Sequence, residues 1–177
     1  MIRSLSIAAC TALAFGAIPA QAGEFYGGIY KHAVDTPFTL DTNEVGFDLQ
    51  AGYRLDPILP VARIEPYVFA SLNSEEGGTD FAGMGVSRKF DLGGVYVRPG
   101  VGLVVHNAPK LRVDPATGVR TDLGSRVLFS PELAVGARLS QRLSAEASWV
   151  HISGARLFDN QQNPGIDMMG VRLNYRL

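Results

Sequence analysis

The chain is constrained most by stretches in which apolar and polar residues trade places at every step. Between residues 45 and 55, Val45, Phe47, Leu49, Ala51, Tyr53 and Leu55 share one parity, and Gly46, Asp48, Gln50, Gly52 and Arg54 the other. Between 95 and 105, Val95, Val97, Val101, Leu103 and Val105 oppose Tyr96, Arg98, Gly100 and Gly102. Between 127 and 139, Val127, Phe129, Leu133, Val135 and Leu139 oppose Ser130, Glu132, Gly136 and Arg138. At the end, Met169, Val171, Leu173, Tyr175 and Leu177 oppose Gly170, Arg172, Asn174 and Arg176. A period of two means a strand with two unlike faces. No sustained helical period follows residue 23. Alternating segments bounded by Gly, Pro, Asp and Asn predict strands near 24–32, 43–54, 61–73, 80–90, 94–106, 124–139, 142–154 and 166–177, an even number. The first, EFYGGIYKH, does not declare which of its faces is which.

Alternation alone leaves the inside undecided. A soluble ligand-binding barrel turns its apolar face inward, and an outer-membrane barrel turns it outward. Three features favour the membrane. The polar face is crowded with glycine (Gly46, Gly52, Gly83, Gly85, Gly100, Gly102, Gly136, Gly170), which suits the narrow, filled interior of an eight-stranded barrel and would only weaken a solvated face. The same face carries both signs of charge (Asp48, Arg63, Glu65, Arg98, Glu132, Arg138, Glu146, Arg172), so the charges can pair inside. The connections alternate in length: turns near 55–60, 91–93 and 140–141, and loops near 33–42, 74–79, 107–123 and 155–165. Short periplasmic turns and longer external loops are the outer-membrane pattern, and Trp149 and Tyr175 fall towards opposite membrane interfaces. The expected fold is therefore all-β, an eight-stranded antiparallel transmembrane β-barrel of the outer membrane.

The start of the chain agrees with export. MIRSLSIAACTALAFGAIPAQA has an early Arg3, an apolar run, a late proline and an Ala-x-Ala end, so residues 1–22 read as a cleaved signal peptide and 23–177 as one barrel domain. The single cysteine, Cys10, lies within that signal, so the barrel domain has no disulfide and no thiolate metal site. Charge is nearly balanced, with 16 Lys and Arg against 17 Asp and Glu, and nothing suggests a nucleic-acid partner. No run after residue 23 has the length of a membrane helix, so a membrane-spanning chain must span with strands.

In ASWVHISGA, residues 147–155, His151 and Ser153 share the parity of Ala147 and Trp149, which is the outward, apolar side. Asp167 has the parity of Met169 and Val171 on the next strand, so it faces the same way. A carboxylate and an imidazole on a lipid-facing wall are costly without a purpose. Serine, histidine and a carboxylate are the parts of a serine hydrolase: a nucleophile, a base within reach of its hydroxyl, and an acid holding the base's other nitrogen. An oxyanion donor is also needed, and the Gly154 N–H and the Asn163 side chain are the candidates. By itself a His-x-Ser pair is a weak signal, equally read as two polar residues at a strand end among headgroups.

HISGARLFDNQQNPGID, residues 151–167, resembles the C-terminal signature of the outer-membrane lipid A 3-O-deacylases of the PagL type: a His-x-Ser pair, a loop, then Asn-x-Gly-Ile and a carboxylate. LGSRVLFSPELAVGARLSQRLSAEASWVHIS, residues 123–153, resembles the preceding strand pair. The resemblance is specific over about 123–170 and general upstream. It implies an eight-stranded barrel with a Ser-His-carboxylate triad on its outer surface, acting as an esterase on the 3-hydroxyacyl chain at the 3-position of lipid A. By position it makes Ser153 the nucleophile, His151 the base, Asp167 the group orienting His151, and Asn163 an oxyanion-hole donor. This chain departs in carrying Asp167 where the pattern has Glu, Gly154 where an Asn often follows the Ser, and a loop about two residues longer.

No cofactor is called for. The expected partner is lipid A or lipopolysaccharide, to a monomer or a homodimer. His32 and His106 read as strand-end residues, and Glu75 and Glu76 as acids in a solvated turn. Lys110, Arg112, Arg120 and Arg156 lie in loops, as ordinary charges or as contacts to lipid A phosphates. The competing expectations are a non-enzymatic small outer-membrane barrel of the OmpX kind, structural or surface-binding, and a soluble periplasmic barrel.

Overall fold

The computed structural model of the chain describes residues 23–39, 42–59, 61–154 and 164–177; the expected signal segment, Arg156 and Asn163 lie outside them. The strands are β1 (Gly23–Lys31), β2 (Phe47–Leu55), β3 (Glu65–Asn73), β4 (Phe81–Ser87), β5 (Phe90–Asp91), β6 (Val95–His106), β7 (Val127–Arg138), β8 (Leu143–Ile152) and β9 (Ile166–Arg176). Each pairs antiparallel with its neighbour in the order β4-β3-β2-β1-β9-β8-β7-β6-β5, and a β4–β6 pairing closes the sheet. β4 and β5 both lie along β6, so they form one stave interrupted at residues 88–89, and the closed barrel has eight staves.

The apolar parity faces out. Leu49, Val135, Val171 and Leu173 are all more than half exposed, and they belong to a continuous apolar wall. The polar parity is buried: Asp48, Arg98, Glu146 and Arg172 are at most 2% exposed. An apolar outside around a charged inside is the membrane-spanning arrangement, opposite to a soluble barrel. The interior charges pair. Arg98 reaches Glu24 at 2.9 Å and Glu146 at 2.7 Å, Arg172 reaches Glu132 and Glu146 at 2.5 Å, and Arg54 bonds Glu24. β1 resolves with Phe25 and Ile29 out and Tyr26 and Tyr30 in.

The inward glycines make room for tyrosine rings. A Cβ on Gly52 would stand 2.3 Å from Tyr26 Cζ, and one on Gly136 2.4 Å from Tyr96 Cζ. At the long-loop end the lumen turns apolar instead: Phe81, Val104, Leu128, Val150, Ile152, Ile166 and Met168 are at most 1% exposed. The ends of β6 and β7 there have apolar residues on both faces, and on β8 the apolar residues Val150 and Ile152 turn inward beside outward His151 and Ser153.

Two charges read as interior lie elsewhere. Arg63 sits in the turn after β2 with φ +49°, because β3 starts at Glu65 and the turn is pinned by an Ile58↔Ile64 bridge. Arg138 ends β7 and is exposed, paired with Asp91. Gly46, with φ +105°, precedes β2 and does not belong to its polar face. Phe25 and Tyr53, with ring centroids 4.7 Å apart, and Tyr175, opposite Phe25, ring the short-turn end. Trp149 stands on the outer wall towards the other end.

Candidate active site

β8 and β9 position the candidate residues directly. The register sets His151 opposite Asp167 and Trp149 opposite Met169, all on the outer face. Ser153 lies one residue past the end of β8, where a bridge to Phe129 fixes its backbone: Phe129 N–H donates to Ser153 O at 2.8 Å, and Ser153 N–H to Phe129 O at 3.0 Å. The chain Ser153–His151–Asp167 closes by side chain. His151 Nδ1 is 2.8 Å from Asp167 Oδ1, and His151 Nε2 is 3.0 Å from Ser153 Oγ. An ionised carboxylate only accepts, so the Nδ1 proton belongs between His151 and Asp167. That tautomer leaves the Nε2 lone pair facing the serine hydroxyl, the relation a general base needs.

These residues share the outward parity, yet they are not bare to lipid. Asp167 is 0% and Ser153 7% exposed, and the His151 side chain 16%. The cover is the segment after β1. Val34 N–H donates to Asp167 O at 2.8 Å, the Thr36 hydroxyl donates to Asp167 Oδ2, and the Phe38 ring lies 5.9 Å from the Trp149 ring. From below, the Trp149 indole N–H donates to Asp167 Oδ1 at 2.9 Å. The acid thus has a donor on each oxygen besides His151. Gly165 keeps the imidazole slot open: its φ is +69°, and a Cβ there would be 3.1 Å from His151 Cε1.

Ser153, His151 and Asp167, singled out in the sequence, are brought together, whereas Thr36 and Trp149 were not anticipated as partners of the acid. Trp149 shares the parity of His151 two residues on, a signal that was present. Thr36 comes from 131 residues away and carried none. Gly154 is buried beside the serine.

The other histidines stand apart. His106 bonds Ser125 O at 2.7 Å. His32 directly follows β1, as a strand-end residue, and is 0% exposed, between Asp48 at 2.8 Å and Glu44 at 2.9 Å. Glu44 also accepts from Thr79 and Arg112, so this cluster ties the loops together across the long-loop end. Burial opposes charge on His32, but its hydrogen bonds to Asp48 and Glu44 outweigh that and push its pKa up to about 9. Burial likewise opposes charge on Glu44, but hydrogen bonds from His32 and Thr79 and the Arg112 charge bring it down to about 2. Glu75 and Glu76 are exposed in their turn.

Beside Ser153, Phe129 also borders an apolar groove of about 520 Å³ on the outer wall. Leu103, Val101, Met84, Val86 and Val68 line it as it descends towards Tyr53.

A family model described as lipid A 3-O-deacylase (PagL) matches residues 45–176. Among solved structures, the crystal structure of the outer membrane enzyme PagL superposes with TM-score 0.61 at 14% identity, covering 87% of this chain and 99% of that one. The N-terminal barrel domain of Pseudomonas aeruginosa OprF gives 0.59 at 10% identity, over 89% and 98%. Neisserial surface protein A gives 0.55 at 10% identity, over 88% and 96%. These structural likenesses establish the fold. No curated protein matches. The protein resides in the bacterial outer membrane.

Proposed function

We propose, from the premise that this chain belongs to the lipid A 3-O-deacylase (PagL) family, that it is a serine esterase removing the ester-linked 3-hydroxyacyl chain from the 3-position of lipid A. The observation that carries this reading is the hydrogen-bonded chain Ser153–His151–Asp167 on the outer wall, where a lipid can approach sideways from the membrane. Ser153 Oγ attacks the ester carbonyl while His151 Nε2 takes the hydroxyl proton. Asp167 holds Nδ1 and stabilises the imidazolium that forms. His151 then gives its proton to the departing sugar oxygen. Water, deprotonated by the same nitrogen, splits the acyl-enzyme to fatty acid and free Ser153.

The tetrahedral oxyanion needs donors. The Ser153 N–H is engaged by Phe129 O, so the next one, on Gly154, is assigned here, with the Asn163 side chain as its partner. Gly154 in place of Asn shifts this role towards the backbone. The groove ending at Phe129 supports an acyl chain lying down the wall from Ser153.

The test is mass spectrometry of lipid A from cells expressing the wild type or Ser153→Ala. The wild type should remove one hydroxyacyl chain and the variant none. An inert barrel of the OmpX kind would leave lipid A unchanged in both, and equal activity of the two would eliminate Ser153 as nucleophile.

A further inference from the structure

The loop cations divide sharply once their partners are known. Arg112 is spent on Glu44 and the Thr42 carbonyl. Arg120 grips Asp122 with Nε at 3.0 Å and Nη2 at 2.8 Å. Lys110 is exposed on its loop, with no ion pair among the described residues. Arg126, which the sequence reading passed over, is different again. Its Nη1 donates to the His106 carbonyl at 3.2 Å and the Ala108 carbonyl at 2.6 Å, and no carboxylate among the described residues pairs with it. It is a full positive charge, exposed, and held in place by neutral acceptors.

Its position is set by the register. Leu103↔Phe129 forms the top rung of the apolar groove, and Val105↔Val127 is the next rung towards the long-loop end. Arg126 stands one residue beyond, about 10 Å along the strand from Phe129 at the usual rise. It leans towards residues 106–108, on the β6 side, which is the side the groove occupies. A lipid with a chain in that groove and its ester at Ser153 brings its headgroup to this guanidinium. A planar guanidinium fixed on one nitrogen, with other N–H groups free to turn outward, suits an oxygen-rich dianion better than a flexible ammonium does.

We infer that Arg126 is the anchor for a phosphate group on the sugar backbone of the lipid A substrate, and so a specificity-determining residue of this enzyme. The inference rests on the deacylase reading for the identity of the lipid, and its test reads binding and not turnover. Trp149 is the sole tryptophan of the chain and lies 6.1 Å from the His151 ring, so its fluorescence reports lipid at the site. The titration uses Ser153→Ala protein in detergent micelles, which keeps the lipid intact, with bisphosphorylated lipid A and its dephosphorylated form. A charge-assisted pair makes the phosphorylated lipid bind about tenfold tighter or more.

Adding Arg126→Gln keeps an N–H donor for the 106 and 108 carbonyls but removes the charge, and the preference should vanish. Arg126→Lys should retain part of it. Equal affinities for the two lipids in Ser153→Ala, or an undiminished preference in the glutamine variant, overturns the assignment. So does competition by phosphatidylglycerol as strong as by lipid A, which would mean that any headgroup phosphate serves. Failure of the wild type to deacylate lipid A would sink the esterase reading separately, while these affinities still decide Arg126.

Discussion

Trp149→Phe isolates one bond to the acid of the site. Asp167 is fully buried and accepts from His151, Thr36 and Trp149, the indole N–H at 2.9 Å. Phenylalanine keeps a ring against Phe38 and His151 and removes only the donor. A hydrogen bond to an ionised group contributes about 1.5–3 kcal/mol. At about 1.4 kcal/mol per factor of ten, its full loss from the transition state would slow the reaction roughly 10- to 100-fold. Some of this is recovered as the carboxylate turns more fully to His151, so the lower end, about tenfold, is expected. In the proposed reaction the fully buried Asp167 does not touch substrate, so the fall belongs in kcat with KM held. The assay is release of hydroxyacyl chain from lipid A micelles, with folding checked by heat-modifiable gel mobility. A folded variant with wild-type kcat, or one that loses only through KM, refutes the idea that Trp149 positions the acid.

Thr36→Val should likewise lower kcat about tenfold, with Thr36→Ser restoring it, because the hydroxyl is the donor to Oδ2; a serine variant as slow as valine would point to loop packing instead. Gly136→Ala puts a Cβ 2.4 Å from Tyr96 Cζ and should cost about 1–3 kcal/mol, read as a lower temperature for the loss of heat-modifiable mobility; an unchanged temperature would show that the ring has room to move. The His32 cluster makes the loops pH-sensitive. A histidine raised to about 9 from 6.5 contributes stability that is fully present below 6.5 and is lost as pH rises through about 9. Glu44, lowered to about 2 from 4.5, contributes above 4.5 and loses that contribution as pH falls towards about 2. Protease nicking of the 107–123 loop should therefore be slowest near pH 5–6 and faster towards pH 9, and His32→Gln should flatten the alkaline rise.

The barrel was legible because its rule is local. Parity in 45–55, 95–105, 127–139 and 166–177 specifies an outward apolar wall and an inward charged face without knowledge of any partner strand. Parity failed where the environment stops alternating. Val150, Ile152 and Met168 turn inward into an apolar plug while His151, Ser153 and Asp167 take the outward parity, so at this end of β8 and β9 the polar and apolar faces are exchanged. Arg63 and Arg138 were read as lumenal because a strand's end cannot be seen from its middle; a positive φ and an exposed ion pair put them outside it. Arg126 was missed for a related reason. What distinguishes it from Arg112 and Arg120 is the absence of an acidic partner among the described residues, and a partner can come from far away in sequence, as Glu44 does for Arg112.

The question set by a carboxylate on a lipid-facing wall has an answer in the same terms. Parity puts Asp167 on the outside, where an unpaired ion in hydrocarbon is strongly disfavoured. The segment from Val34 to Phe38 folds down over it, so the acid ends fully buried in protein with three donors and no contact with lipid. The two atoms that meet a substrate in the proposed reaction, Ser153 Oγ and His151 Nε2, stay at the edge of that cover. The shorter acid is consistent with this arrangement. Aspartate reaches one methylene less than glutamate, and the register that sets Asp167 directly opposite His151 makes the longer arm unnecessary. Asp167→Glu should then be worse than the wild type, because the added methylene must fit among Thr36, Trp149 and His151, which already hold a fully buried carboxylate. A glutamate variant that deacylates lipid A as fast as the wild type would mean that the cover yields, and that the cage around the acid does not set its position.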